Sequence, residues 1–119
     1  MISGKNRFHG HGSLRYVYSK GSAVRSPALT IKYVKNDRRK NSRAAVVVSK
    51  KVLKSAIGRN RIRRRLYEYI RLSFPNLSNT YDFVFIVTSP DLQTMPHNEL
   101  TQLIDQLMDK AHLLKRPNN

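Results

Sequence analysis

Residues 49–72, SKKVLKSAIGRNRIRRRLYEYIRL, constrain this chain more than any other stretch. Ile62, Leu66, Tyr69 and Ile70 fall at i, i+4, i+7 and i+8, the spacing of a helix with one buried face. Asn60, Arg63, Arg64, Tyr67 and Arg71 recur at steps of three, four and seven, so the same helix is expected to turn them outward. Arg61, Arg63, Arg64 and Arg65 crowd into about one turn, where like charges destabilise an isolated helix by a few tenths of a kcal/mol per pair. Only Glu68 offsets them. A polyanion relieves the repulsion, and the planar fork of Arg suits phosphate oxygens two at a time.

A chain of 119 residues is enough for one domain around one core. Its 23 Lys+Arg against 7 Asp+Glu give a net charge of +16, a field that favours nucleic acid over neutral or acidic partners. No apolar run approaches the roughly 18 residues needed to cross a bilayer, and no apolar segment of signal-peptide type opens the chain. A cytoplasmic protein with no membrane partner is expected. Zero Cys removes disulfides and thiolate metal sites, which fits a reducing compartment.

Residues 1–12, with Gly4, Gly10, Gly12, Lys5 and Arg7, read as a flexible basic arm, and His9 and His11 lack a third ligand type for a metal clip. Over 13–20, Leu14, Val17 and Tyr18 space as a short helix capped by Ser13 and stopped at Gly21. A strand over 27–34 puts Leu29, Ile31 and Tyr33 toward a core, and Thr30 and Lys32 on a wet face. The aperiodic KNDRRKNSR, 35–43, is expected as a mobile hairpin connection, and 44–49 as a central strand. The basic helix should start at the N-cap Ser55 and end before Phe74 and Pro75, with Gly58 a poor helix former in its first turn.

The run YDFVFIVTS, 81–89, is a strand of the buried kind, ended by Pro90. Over 96–114, Leu100, Leu103, Ile104, Leu107, Met108 and Ala111 make a helical stripe opposite Glu99, Asp105 and Asp109. The order α-β-β-α-β-α predicts an α+β fold, a two-layer α/β sandwich with both main helices on a small mixed sheet. A single domain over 13–115 would then lie between the arm and a tail at 116–119.

Protein-based RNA cleavage needs clustered carboxylates holding a metal or a His/Lys acid–base pair. The seven carboxylates are scattered, the four His lie apart, and no catalytic residue or protein-bound metal is expected. The pattern describes a binder. The crowded Arg helix lacks a helix-turn-helix partner, and a separate polar sheet face stands beside the Tyr-bearing first helix, which favours RNA over DNA. Tyr16 and Tyr18 are open to core packing or base stacking.

The segment Ser49-Lys50-Lys51, then Ala56, then Arg59-Asn60-Arg61-Ile62-Arg63-Arg64 and on through Tyr67, Glu68 and Arg71, resembles the signature of the bacterial ribonuclease P protein component. Leu14, Val17 and Tyr18 ahead of Gly21, and Tyr81-Asp82 opening an apolar strand, are similar to further elements of that family. The resemblance implies a two-layer fold of the type in the second domain of a small-subunit ribosomal protein, with a left-handed crossover. It implies a ribonucleoprotein whose RNA, with Mg2+, removes the 5′ leader of precursor tRNA. The protein would be a monomer in a 1:1 complex with the catalytic RNA, lowering the metal requirement and binding no cofactor itself.

Carried over on this resemblance, Lys50, Lys54, Arg59, Asn60, Arg61, Arg63, Arg64, Arg65 and Arg71 would contact the catalytic RNA. Leu14, Tyr18, Thr30, Lys32, Ser49 and Lys51 would line the leader cleft. Leu14 stands where the family has Phe and Lys32 where an aromatic is also found, so leader contact here leans on charge rather than stacking. A ribosomal or RNA-chaperone protein without a processing role is the alternative, and a metal-dependent protein nuclease a third reading.

Overall fold

The structure, a computed structural model, describes residues 11–115, so the expected arm lies outside it except for its last two positions, and the tail lies outside it entirely. The elements run α1 (His11–Lys20), β1 (Ser22–Arg25), β2 (Leu29–Lys35), β3 (Arg43–Val48), α2 (Ala56–Ser73), β4 (Tyr81–Val87) and α3 (His97–Lys110). This is the expected α+β order with one strand added. β1 has only four residues, too few for alternation to show; it forms because Val24 enters the core while its backbone pairs antiparallel with β2.

The sheet order is β1-β2-β4-β3, with β2 antiparallel and β3 parallel to β4. The expected hairpin between β2 and β3 is therefore not formed, because β4 lies between them. β4 is apolar on both faces, and only a central position with cover above and below buries both. Tyr81, Phe83, Phe85 and Val87 meet Leu29, Ile31, Val46 and Val48 beneath Ile62, Leu66 and Ile70 of α2 and Leu100 and Ile104 of α3. On the other face the register sets three rows: Thr30–Ile86–Val47, Lys32–Val84–Ala45 and Val34–Asp82–Arg43. α1 packs on β2 and β4, and with the fully buried Val17 and Val84 it covers the middle of this face. The face expected to be wet is thus partly roofed, and Thr30 is only 9% exposed.

Local chemistry sets the helix ends. α1 begins at His11, which leaves Ser13 inside the helix rather than capping it. It stops at Gly21, whose N–H donates to Val17 O at 2.9 Å and where a Cβ would stand 2.5 Å from that same oxygen. Ser55 caps α2 as expected, its Oγ accepting from Gly58 N at 3.1 Å. Gly58 is no defect: a Cβ there would lie 2.6 Å from Leu53 Cδ2, so its smallness lets the preceding turn close over the helix.

α3 ends at Lys110, short of the expected 114, because His112 adopts φ 58° and reverses the chain. The N–H of His112 donates to Asp109 O and that of Leu113 to Met108 O, a Schellman pair that returns Leu113 to the core. The last-helix stripe is accordingly uneven, with Ile104 fully buried and Leu103 only partly so.

Ile104→Ala should cost about 2–5 kcal/mol in urea unfolding, and Leu103→Ala distinctly less. A second expectation concerns Tyr69, which joins α2 to α3 by donating its hydroxyl to Asp105. Burial, then the Asp105 bond, push the Tyr69 pKa well above the ordinary tyrosine value. A raised folded pKa means stability that is present below about pH 10 and lost as pH rises above it. Denaturant midpoints should fall in that alkaline range, and Tyr69→Phe should flatten the fall.

Candidate nucleic-acid interface

α2 is amphipathic as its spacing predicts, with Ile62, Leu66, Tyr69 and Ile70 buried. Its arginines do not form one uniform face. Arg59 turns back on its own N-terminal side, Nη1 donating to Leu53 O at 3.0 Å and Lys54 O at 2.6 Å. The same turn is closed by Val52 N and Leu53 N donating to Ser49 O at 3.1 and 3.2 Å, and it holds Lys50, Lys51 and Lys54 exposed. Arg63 Nη1 donates to Asn60 Oδ1 at 2.8 Å. Arg65 is half-buried and donates to Leu92 O and Met95 O, tying α2 to the 3-10 turn Pro90–Gln93 and the lead into α3.

Arg71 pairs with Glu68 at 2.6 Å, both near half-exposed. The Arg71 hydrogen bond holds the Glu68 carboxyl below the usual range, and Glu68 raises Arg71 in turn. Arg61 and Arg64 are exposed and have no side-chain partner among the described residues. Tyr67, expected outward, is half-buried, and its oxygen accepts from Val46 N at 3.3 Å on the open edge of β3. That bond satisfies an edge donor which the sheet itself leaves unpaired.

The second surface is the groove where α1 lies over the sheet. Lys32 Nζ donates to Tyr18 O at 2.8 Å and sits 5.3 Å from the Tyr18 ring centroid, so two expected groove residues are in contact. Burial raises the Tyr18 pKa. Leu14 is half-buried on the same helix, and Thr30 forms part of the covered floor. Ser49 follows Val47 by two residues at the Thr30 end of the sheet, whereas Lys51 lies with Lys50 in the turn before α2. β1 adds Arg25, exposed and opposite Thr30, which the sequence reading did not include.

Four carboxylates are already engaged: Asp82 with Arg43 and Asn36, Glu68 with Arg71, Asp105 with Tyr69, and Asp37 with Lys35 at 3.7 Å. Among the described residues no three His, Asp or Glu converge as a metal site, so the donor set offers Mg2+ no carboxylate cage. Nor is any described helix long and apolar enough to cross a membrane. Arg43 and Asp82 were missed as partners because 39 positions separate them, and no local pattern signals the pairing.

A mixed four-stranded sheet with a cation-bearing helix over one face and a groove beneath a short helix on the other defines a small, basic α+β protein. The ribonuclease P family model matches residues 2–112. The chain is 38% identical to the ribonuclease P protein component of Chloroflexus aurantiacus over 88% of its own length and 76% of that protein. It is 33% identical to that of Symbiobacterium thermophilum over 84% and 85% of the two chains. The fold matches the RNase P protein of Staphylococcus aureus with a TM-score of 0.80 at 19% identity, over 92% of this chain and 98% of that one. It matches the Thermotoga maritima RNase P protein at 0.74 and 20% identity, over 87% and 96%. The chain belongs to the ribonuclease P protein component family, and membership implies a place in the ribonuclease P holoenzyme beside ribonuclease P RNA.

The two kinds of arginine on α2 should separate in stability measurements. Arg65→Ala removes hydrogen bonds from a charged donor to two carbonyls and should cost about 1.5–3 kcal/mol, whereas Arg64→Ala should stay within about 0.5 kcal/mol of the parent. Urea unfolding of the free protein checks both.

Proposed function

We propose that this chain is the protein subunit of a ribonuclease P in which the RNA subunit cleaves and the protein holds RNA. Its task is to assist endonucleolytic removal of the 5′ leader from precursor tRNA and to lower the Mg2+ concentration that the reaction needs. The observation that carries this reading is the exposed pair Arg61 and Arg64 on α2, without side-chain partners among the described residues, together with the exposed lysines of the turn before α2, where no three described His, Asp or Glu gather. Such a surface neutralises phosphates and, among the described residues, gathers no metal-holding cluster of the kind that activates water.

On this reading Arg61, Arg64, Lys50 and Lys54 contact the RNA subunit directly. Arg59 and Arg63 shape that surface through their bonds to the turn carbonyls and to Asn60, and Arg65 holds α2 against the Pro90–Gln93 turn. The 5′ leader lies in the groove of α1, where Tyr18 and Lys32 meet it from the wall and floor. Placing leader and RNA subunit on separate faces lets one small protein grip both at once. Mg2+ then belongs to the RNA, whose phosphates the protein's cations help to screen. The protein acts as a monomer, one per RNA, in the cytoplasm.

Reconstitution with a ribonuclease P RNA tests the proposal. The protein alone should cut nothing, and its addition should shift the Mg2+ dependence of the RNA's cleavage of leader-bearing tRNA to lower concentration. Arg64→Ala should weaken assembly and reduce the slope of log affinity against log salt by somewhat under about one unit. Equal binding to unrelated structured RNAs, with no preference for precursor over mature tRNA, would instead indicate a general RNA chaperone.

A further inference from the structure

The fold brings His97, at the start of α3, to the arginines of α2. Arg61, Arg64, Arg65 and Glu68 fall at i, i+3, i+4 and i+7 and so share one side of that helix. Arg65 holds the segment that leads into α3 against this side, its Nη1 donating to Leu92 O at 2.7 Å and its Nη2 to Met95 O. Leu92 is fully buried, so the same segment is anchored from within. The result is a cleft of about 440 Å³ lined by Arg61, Arg64, Arg65, Glu68 and His97.

Arg61, Arg64 and His97 are exposed, and none of their side chains has a partner among the described residues. Glu68 does not neutralise them, because Arg71 holds its carboxylate at 2.6 Å. Glu99, the acidic residue in the first turn of α3, is exposed and does not line the cleft. The neighbouring cleft, about 270 Å³, shares Arg65, Glu68 and His97 but turns toward Leu72, Leu100 and Asp105, whose carboxylate accepts from Tyr69. An anion is therefore drawn to the side of His97 that faces Arg61 and Arg64. Two free guanidinium forks beside an imidazole, which donates one hydrogen bond when neutral and two when charged, make up the chemistry of a phosphate site.

We infer that this cleft seats one backbone phosphate of the ribonuclease P RNA, with His97 as a third ligand beside Arg61 and Arg64. This rests on α2 facing the RNA subunit. It makes α3 part of that interface and makes assembly depend on pH. An imidazole next to a phosphate is favoured in its charged form, and histidines change charge at about pH 6.5. Affinity for the RNA subunit then rises as pH falls through that region, above a constant part supplied by arginines that stay charged throughout.

Binding of the RNA subunit to the parent, His97→Ala, His97→Lys and Arg64→Ala proteins, over a salt series at about pH 6 and about pH 8, on either side of the histidine range, tests it. The parent should bind several-fold more tightly at the lower pH, with a salt slope steeper there by somewhat under about one unit. His97→Ala should lose both differences. His97→Lys, charged at both values, should bind at either as the parent does at the lower, an outcome that a merely structural role for His97 does not produce. A pH dependence that survives in His97→Ala, or a His97→Lys protein that binds no better than His97→Ala, would overturn the inference. So would His97 variants that change the affinity of the assembled holoenzyme for precursor tRNA and leave RNA-subunit binding untouched, since the phosphate would then belong to the substrate. Arg64→Ala separates the two levels: lost affinity there beside unaffected His97 variants sinks the cleft alone, whereas unchanged binding in all three variants sinks α2 as the RNA-subunit face as well.

Discussion

The burial of β4 on both faces is the constraint from which the rest of the architecture follows. Phe83, Val84 and Phe85 in succession leave almost no side chain in water, and such a strand is stable only between two neighbours and two covering layers. α2 and α3 cover one side and α1 the other. A fold with a single covered face would have offered one polar sheet surface. This one offers a groove beside a short helix and, behind the sheet, the outward edge of a long basic helix, so both surfaces are by-products of hiding one strand.

The arginines of α2 divide by what they reach. Arg59 and Arg65 donate to backbone carbonyls within the protein, and Arg71 holds Glu68. Of the four arginines crowded into about one turn, only Arg65 is drawn off in this way, toward the Leu92 and Met95 carbonyls. Arg61 and Arg64 keep their donors for a partner. A basic helix in this fold is therefore partly a structural brace, and counting its charges overstates how many are left for a partner.

The groove shows a similar economy. Lys32 lies on the Tyr18 carbonyl and near its ring, so lysine and tyrosine hold one another in place within the free protein. Such preorganisation lowers the ordering cost of binding. At the end of the same face, Asp82 and Arg43 anchor the β2–β3 connection, which aperiodic composition alone reads as a mobile linker.

Most of what is local in this protein is legible in its residues. Ser55 as a cap, the buried stripe of α2, the apolar run of β4 and the net charge that selects a polyanion all follow from spacing and chemistry within a few residues, and the Arg-Asn-Arg segment carries the family resemblance. Tertiary structure alone decided that β4 enters between β2 and β3, that α1 roofs the face bearing Thr30, that Arg65 faces Met95 rather than solvent, and that Arg43 finds Asp82. Periodicity and capping act through neighbours along the chain, whereas strand order and buried pairing join residues tens of positions apart, and hydrophobic spacing says only that a face is buried, not against what.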